Sequence, residues 1–208
     1  MNLKARTSHI LKVLDLNYPQ ARCSLDFKNP LELLIATILS AQCTDKRVNG
    51  VTKTLFKKYK TPKDYAQAPL EILEEDIRST GFYHNKAKNI RMCCAELVKR
   101  FGGEVPQTME ELVVLPGIGR KTANVVLGNA FSIPGIVVDT HVSRISQRLG
   151  LTAEKDPVKI EFALMPLIPQ EKWVLFSHQV IEHGRSLCLA RGPKCPACFL
   201  RPWCAFGK

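Results

Sequence analysis

Apolar residues recur along this chain at helical spacing, in segments that begin at capping residues and end at glycines or turns. The first clear segment runs from Pro30 to Gln42, with Asn29 as its N-cap and proline at the first helical position. Further helices are predicted at 44–59, from Pro62, from Pro69, and at 86–101, 108–114, 121–130, 139–149, 157–167 and 171–187. Strand-like alternation is absent, and Ile136–Val138 is the only β-rich patch, so the pattern predicts an all-α fold.

No low-complexity linker, internal repeat or disordered tail divides the chain. Any division into domains must therefore come from packing, with short connections between the parts. The segment 131–138 contains Pro134-Gly135 and is the best candidate for a crossover.

The composition favours a polyanionic partner. The chain has 208 residues, 45% of them hydrophobic, with 30 Lys and Arg against 19 Asp and Glu and a net charge of +11. This balance indicates nucleic acid first and a membrane surface second, although a basic protein without such a partner stays open. No apolar run approaches the roughly 20 residues of a membrane span, and the N-terminus lacks a secretory pattern. We expect a cytoplasmic protein, associated with a bacterial or archaeal nucleoid, or a nuclear one if the source is eukaryotic.

The segment Leu115-Pro116-Gly117-Ile118-Gly119-Arg120-Lys121 separates two predicted helices. Gly117 and Gly119 let the backbone turn sharply and approach another group without interference from Cβ. The N–H groups that open the following helix form an anion site, to which Arg120 adds positive charge. We interpret the segment as a DNA phosphate-binding hairpin, with an ordinary helix–helix turn as the alternative.

Lys121 and Asp139 form a candidate catalytic pair. Lys121 is in the first turn of its helix, where the helix dipole and Arg120 destabilise an ammonium group, and burial would add to this effect. Such an amine can attack an electrophilic sugar carbon and form a Schiff base. Asp139 can accept a proton or stabilise positive charge on the ribose. Taken singly, Lys121 also suits a phosphate contact and Asp139 a plain helix N-cap.

Four of the eight cysteines crowd into the last 21 residues, as Cys188, Cys195, Cys198 and Cys204. Four thiolates suit a tetrahedral zinc ion or a 4Fe-4S cluster. Zinc folds more often use two Cys-x2-Cys pairs and this segment has one, so the spacing favours the cluster and leaves zinc open. Four unligated cysteines are the remaining alternative.

The loop between the first two of these cysteines carries Arg191 and Lys194. A loop held at both ends can present these cations to a second DNA phosphate. The metal site would then be structural and DNA-orienting rather than catalytic. A solvated loop without a partner is the alternative.

Together these residues resemble the endonuclease III family of DNA glycosylases, in the helix-hairpin-helix superfamily, over nearly the whole chain. The matching segments are Leu39–Gln42 with Thr44-Asp45, Gly81–Lys88, Leu115–Val126, Val138–Val142, His183-Gly184-Arg185 and the four-cysteine spacing. The resemblance implies a six-helix barrel domain over 23–133, with the hairpin at about 108–130. It implies an iron–sulfur domain formed by 1–22 and 134–208.

The resemblance also implies a reaction. A damaged nucleotide is flipped out of double-stranded DNA, and Lys121 attacks C1′ and displaces an oxidised pyrimidine. β-Elimination from the Schiff base then nicks the strand, and abasic sites are substrates too. Asp139 assists base departure and proton transfer, and the four cysteines hold a 4Fe-4S cluster. We expect a monomer with no membrane partner.

Three further positions are implied to contact DNA. Gln42 matches the family residue that fills the gap left by the flipped nucleotide. Phe82 takes the place of an apolar wedge residue, often leucine in relatives. His84 also lies in this set; like Cys43, it departs from the commoner family residues, which are Asn and Ala respectively. These departures bear on lesion and opposite-base preference, and they leave the catalytic pair unchanged.

Other functions stay open at this point. A mismatch-specific adenine glycosylase of the same superfamily generally lacks a lysine at the position of Lys121 and has a further C-terminal domain, whereas this sequence has the lysine and stops four residues after Cys204. A non-catalytic DNA-binding module would use the hairpin and the cysteines only as clamps. A ferredoxin-like electron carrier would leave the basic hairpin unexplained.

Overall fold

The computed structural model describes residues 2–207, which form helices joined by short connections. In chain order the helices are α1 (Leu3–Asn17), α2 (Pro30–Leu39), α3 (Asp45–Lys58), α4 (Pro62–Gln67), α5 (Leu70–Ile77), α6 (Tyr83–Phe101), α7 (Met109–Val113), α8 (Arg120–Ala130), α9 (Thr140–Arg148), α10 (Pro157–Leu164) and α11 (Trp173–Ser186). Single 3-10 turns lie at Arg78–Thr80, Gln170–Lys172, Cys195–Ala197 and Arg201–Trp203. No strand occurs within 2–207, so the predicted all-α class is confirmed. Over the same range, no helix has the length and apolar character needed to span a bilayer.

Most predicted helix starts are confirmed because their capping residues are explicit in the sequence. The Asn29 side chain accepts the backbone N–H of Glu32 at 2.9 Å, with Pro30 at the first helical position. Predicted ends are less accurate: α2 ends at Leu39, three residues before Gln42. α6 begins three residues earlier than predicted, at Tyr83, because its N-cap is a left-handed residue with no side-chain cap.

Packing divides the chain into two compact units. The terminal unit is Met1–Arg22 with Pro134–Lys208, and the central unit is Cys23–Ile133. The central unit holds α2–α8, which is seven helices where the family barrel is expected to have six, if the five-residue α7 is counted. α6 packs along α4 and α5, and α2 packs on α8. Fully buried side chains such as Leu33, Ile35 and Ile90 each stabilise this core by about 1.5–3 kcal/mol.

The terminal unit holds α1 and α9–α11, with α11 packed against both α9 and α1. Its core includes Leu14, Phe176 and Val180, all fully buried. At Gly184, where α11 meets α9, a Cβ atom would lie 2.5 Å from Nδ1 of His141. A side chain at position 184 would therefore displace His141 and its neighbours on α9, so glycine suits this close helix crossing.

Candidate active site

The glycine hairpin joins α7 to α8 in the central unit. Leu115 and Ile118 are buried, and the Ile118 N–H donates to the Leu115 carbonyl at 3.1 Å to close the turn. Gly117 has φ of +78°, and a Cβ there would lie 2.9 Å from Cβ of Asn89. Gly119, in contrast, has open space where a Cβ would point. The fold therefore requires Gly117, whereas Gly119 leaves room for an outside group beside the backbone.

The N-terminus of α8 has the form of an anion site. The helix begins at Arg120, and its N-cap is Gly119, which has no side chain of its own to accept an N–H of the first turn. The first N–H groups of a helix attract anions, and glycine at the N-cap lets a phosphate approach them. Lys121 is exposed in this first turn, so burial does not add to the dipole effect expected from the sequence.

Asp139 is the N-cap of α9, in the terminal unit. Its Oδ1 atom accepts the backbone N–H groups of His141 and Val142, both at 2.8 Å. The side chain is half-buried. The capping role suggested by the sequence is thus confirmed. Both capping bonds use the same oxygen, so the cap does not require Oδ2, which can serve a second purpose.

The predicted DNA-contact residues Gln42 and Phe82 share an unusual backbone. Their φ angles are +51° and +49°, the left-handed region that non-glycine residues rarely adopt. Phe82 is 63% exposed and Gln42 is exposed as well. A large aromatic side chain held in solvent on a strained backbone indicates a functional position.

His84 follows Phe82 by two residues and is held from two sides. Its Nδ1 atom lies 2.7 Å from Oε2 of Glu74, on α5. Its ring lies against Tyr83, with the ring centroids 4.1 Å apart. These contacts hold the imidazole at the start of α6.

The structure brings the four C-terminal cysteines to one recess of the terminal unit. The residues that line this recess include Cys188, Cys195, Cys198 and Cys204. All four are half-buried. Within 2–207, no three His, Cys, Asp or Glu side chains are grouped so that they could hold a single metal ion.

Two arginines of α9 hold the loop that starts at Cys188. Nη2 of Arg144 donates to the Cys188 carbonyl at 2.9 Å. Nη1 of Arg148 lies 3.3 Å from the Cys188 sulfur and donates to the Leu189 carbonyl at 2.7 Å, and Nη2 donates to the Ala190 carbonyl at 3.0 Å. The start of the loop that carries Arg191 and Lys194 is thereby fixed to α9, and both cations are exposed.

A buried histidine faces a second cysteine. Burial lowers the pKa of His183 to about 4, so its ring is neutral at pH 7. The Tyr18 hydroxyl lies 3.1 Å from Nδ1, and the Cys198 sulfur lies 3.6 Å from Nε2. Burial raises the pKa of the Cys198 thiol, an effect that the Leu200 N–H opposes and the other three cysteines reinforce.

Comparison with known proteins matches these features to one family. Residues 35–170 fit the model of the HhH-GPD superfamily base excision DNA repair proteins. The chain is 55% identical to endonuclease III of Synechocystis over 97% of its length and 92% of that protein. It is 50% identical to endonuclease III of Bacillus subtilis over 100% of its length and 95% of that protein. The chain belongs to the endonuclease III family.

Solved structures agree with membership of the endonuclease III family. A non-covalent endonuclease III–DNA complex matches with a TM-score of 0.95 and 50% identity, covering 100% of this chain and 97% of that one. A trapped endonuclease III–DNA covalent intermediate matches equally well, covering 98% of its chain. A thermostable thymine-DNA glycosylase, at 22% identity and a TM-score of 0.88, shares the fold.

Of the catalytic pair expected for the endonuclease III family, Lys121 belongs to the central unit and Asp139 to the terminal unit. Sequence reasoning gave no role to Arg144, Arg148 or Lys86. The sequence does mark Lys86 as unusual, because the helical pattern places this charged residue among apolar positions on the buried face of α6, which it shares with Ile90. The arginines had no such signal, since their partners are backbone carbonyls distant in sequence.

Proposed function

We propose that this protein is a DNA glycosylase and AP lyase of base excision repair, which removes oxidised pyrimidines from double-stranded DNA and cleaves at abasic sites. The observation that carries the proposal is its likeness, along the whole chain, to an endonuclease III structure solved as a trapped covalent intermediate with DNA. A chain with 50% identity to that protein and an amine at the hairpin has the groups that such an intermediate requires.

Lys121 is the proposed nucleophile. With the damaged nucleotide flipped out of the helix, Nζ bonds to C1′ of the deoxyribose while the C1′–N bond breaks. The base leaves with the bonding electron pair and gains a proton. Ring opening gives a Schiff base between Nζ and C1′. Loss of a C2′ proton then expels the 3′ phosphate by β-elimination, which nicks the strand 3′ to the lesion.

Asp139 is the proposed acid–base and electrostatic partner. Its carboxylate stabilises positive charge on the sugar as the base departs and moves protons in the later steps. The Oδ1 atom is committed to the α9 cap, and Oδ2 is the atom proposed to act. The cap therefore serves catalysis by fixing the carboxylate on a rigid helix end.

The proposed DNA contacts divide by type. The Gly117–Lys121 hairpin and the loop cations Arg191 and Lys194 bind backbone phosphates, which hold the duplex without reading its sequence. Gln42 fills the space of the flipped nucleotide, while Phe82 and His84 act beside it. Support comes from the glycine N-cap of α8 and the exposure of Phe82.

We propose that the four cysteines of the recess hold a 4Fe-4S cluster. The four sulfurs line one recess of the terminal unit, and their sequence spacing is the one expected for the endonuclease III family, which supports the cluster. An N–H group of Arg148 faces the Cys188 sulfur and would stabilise its thiolate. When bound, the cluster would supply structural support to the loop with Arg191 and Lys194.

Borohydride trapping on duplex DNA with a single abasic site tests the nucleophile. Borohydride reduces a Schiff base to a stable amine, so wild-type protein is expected to give a covalent complex and Lys121→Gln none. Lys99→Gln, which changes an exposed lysine at the end of α6, is the matched control and should trap like wild type. Equal trapping by Lys121→Gln would overturn the assignment.

The same assay on other duplexes separates the alternatives. A duplex with an oxidised thymine should be cleaved, and a mismatched adenine should not. Preference for the adenine duplex would favour an adenine glycosylase, and binding without any trapping would favour a DNA-binding module. A repair role on chromosomal DNA would place the protein in the cytoplasm.

A further inference from the structure

Two loops of the central unit carry a strained, exposed residue each. Gln42 follows the end of α2, and Phe82 precedes the start of α6. A left-handed backbone costs a non-glycine residue roughly 1–2 kcal/mol, so such a conformation persists only where neighbouring structure fixes it. The Cys43 N–H donates to the Ser40 carbonyl at 3.1 Å and closes the turn at Gln42, but this local bond does not set the distance between the two loops.

Lys86 makes contact with both loops. Its Nζ atom donates to the Leu39 carbonyl and to the Thr80 carbonyl, each at 2.8 Å. Leu39 is three residues before Gln42, and Thr80 is two residues before Phe82. The Lys86 backbone N–H also donates to the carbonyl of Phe82 itself, at 3.1 Å. Lys86 therefore joins the two loops, through carbonyls that lie three residues before Gln42 and two residues before Phe82.

The contact is buried and carries charge. Lys86 is 4% exposed and lies on the core face of α6. Burial lowers its pKa, an effect that the nearby Cys43 opposes. Hydrogen bonds from an ammonium group to carbonyl oxygens are stronger than those between neutral groups, and the Leu39 carbonyl is at a helix end, where carbonyls lack helical partners. The hydrogen bonds of Nζ to the Leu39 and Thr80 carbonyls explain why a lysine occupies this core position.

We propose that Lys86 is a positioning residue that sets the spacing of the Gln42 and Phe82 loops, so that both side chains enter the DNA duplex together when a damaged nucleotide is extruded. The inference rests on the proposed function, because it takes Gln42 and Phe82 as DNA contacts. It adds that their joint placement is built into the free protein. Extrusion from a stacked duplex needs both side chains, whereas an abasic site in a single strand needs neither.

The test is the ratio of single-turnover borohydride trapping rates on duplex and single-stranded abasic DNA. Lys86→Met keeps the side-chain length and removes the donors, and we expect the ratio to fall by on the order of tenfold to a hundredfold. Ile90→Val, one turn along the same buried face, loosens the core without touching either carbonyl and should keep the wild-type ratio. A wild-type ratio in Lys86→Met, or equal losses in both variants, would overturn the proposal.

Two further variants guard against misfolding and indirect effects. Lys86→Gln is milder, because its amide is too short to reach both carbonyls, and its ratio should also fall; a ratio equal to wild type would count against the proposal. In a Phe82→Ala background, Lys86→Met should change the ratio less, since one of the two residues whose joint placement Lys86 sets is gone. Full additivity would contradict the coupling. Absence of trapping by wild-type protein on both substrates would instead refute the proposed function.

Discussion

Asp139 and Asp156 cap their helices in the same way. In each residue, Oδ1 accepts the backbone N–H groups of the second and third residues that follow, at 2.8 Å for Asp139 and 3.0 Å for Asp156. Asp139 opens α9 and is half-buried, whereas Asp156 opens α10 and is exposed. The chain thus contains an internal control for the capping role of its proposed catalytic carboxylate.

Asp139→Asn should preserve the cap and remove the chemistry. Asn is as good a cap as Asp, so the free energy of unfolding should change little, while base excision should fall by roughly 10²- to 10⁴-fold. Asp156→Ala should lower the free energy of unfolding by about 1 kcal/mol and leave excision unchanged. Denaturant unfolding and single-turnover excision measure the two effects. Normal turnover in Asp139→Asn would reduce this residue to a helix cap.

Alanine should lower the free energy of unfolding more at Gly117 than at Gly119. Gly117→Ala should lower the free energy of unfolding by at least about 1–2 kcal/mol, because φ is +78° and the added methyl meets Asn89. Gly119→Ala should cost stability only about 0.5–1 kcal/mol, as a poorer N-cap, since its Cβ enters open space.

The second readout for these glycines is DNA affinity at fixed salt. A methyl at Gly119 would keep a phosphate from the first N–H groups of α8, and affinity should fall on the order of tenfold. Unchanged affinity in folded Gly119→Ala protein would show that this end of α8 does not bind phosphate. Gly117→Ala should also weaken binding, because it distorts the same hairpin, so its loss of affinity should accompany its larger loss of stability.

Cysteines inside and outside the recess should differ in iron retention. Purified wild-type protein should be brown and contain about four irons per chain, as a 4Fe-4S cluster requires. Cys198→Ser should lose iron and fold less stably, whereas Cys43→Ser, half-exposed in the central unit, should keep its full content. Metal analysis with visible absorbance decides the matter. Colourless protein with one zinc per chain would refute the cluster.

The salt dependence of DNA affinity should show whether Arg191 and Lys194 contact phosphates. Each phosphate contact contributes about 0.9 to the slope of log affinity against log salt concentration. Arg191→Ala and Lys194→Ala should therefore each reduce that slope by about 0.9. Lys155→Ala, an exposed lysine in the same unit with no proposed contact, is the control and should leave it unchanged. Equal slopes in all three variants would indicate a solvated loop.

Much of the fold could be predicted because its helix boundaries are set locally. Asn29 with Pro30, and Thr108 with its partner Glu111, cap helices through contacts within four residues, which a sequence displays directly. The start of α6 could not be predicted, because the left-handed Phe82 has no capping side chain and its conformation accompanies a distant lysine contact. Predicted helix ends lie beyond the observed ends where apolar residues continue into the turn that follows the helix.

The chemistry of the candidate site stays a prediction: residue types suggest the amine, the carboxylate and the cysteines, and the family resemblance favours their pairing over a phosphate contact and a plain helix cap. The contacts that hold them were invisible, because Arg148 and Lys86 bind backbone carbonyls 41 and 47 residues away in sequence. Carbonyls are present at every position, so no residue pattern marks which of them will be used.

The left-handed backbone at Gln42 and Phe82 lowers thermal stability, whereas the side chains at these two positions serve repair activity. Glycine would relax the backbone at either position and remove the side chain that meets DNA. A library selected only for thermal survival should therefore enrich glycine at both positions, and the survivors should still bind intact duplex while excising lesions slowly. Engineering a more durable enzyme has to leave these two residues alone and seek its gains elsewhere in the chain.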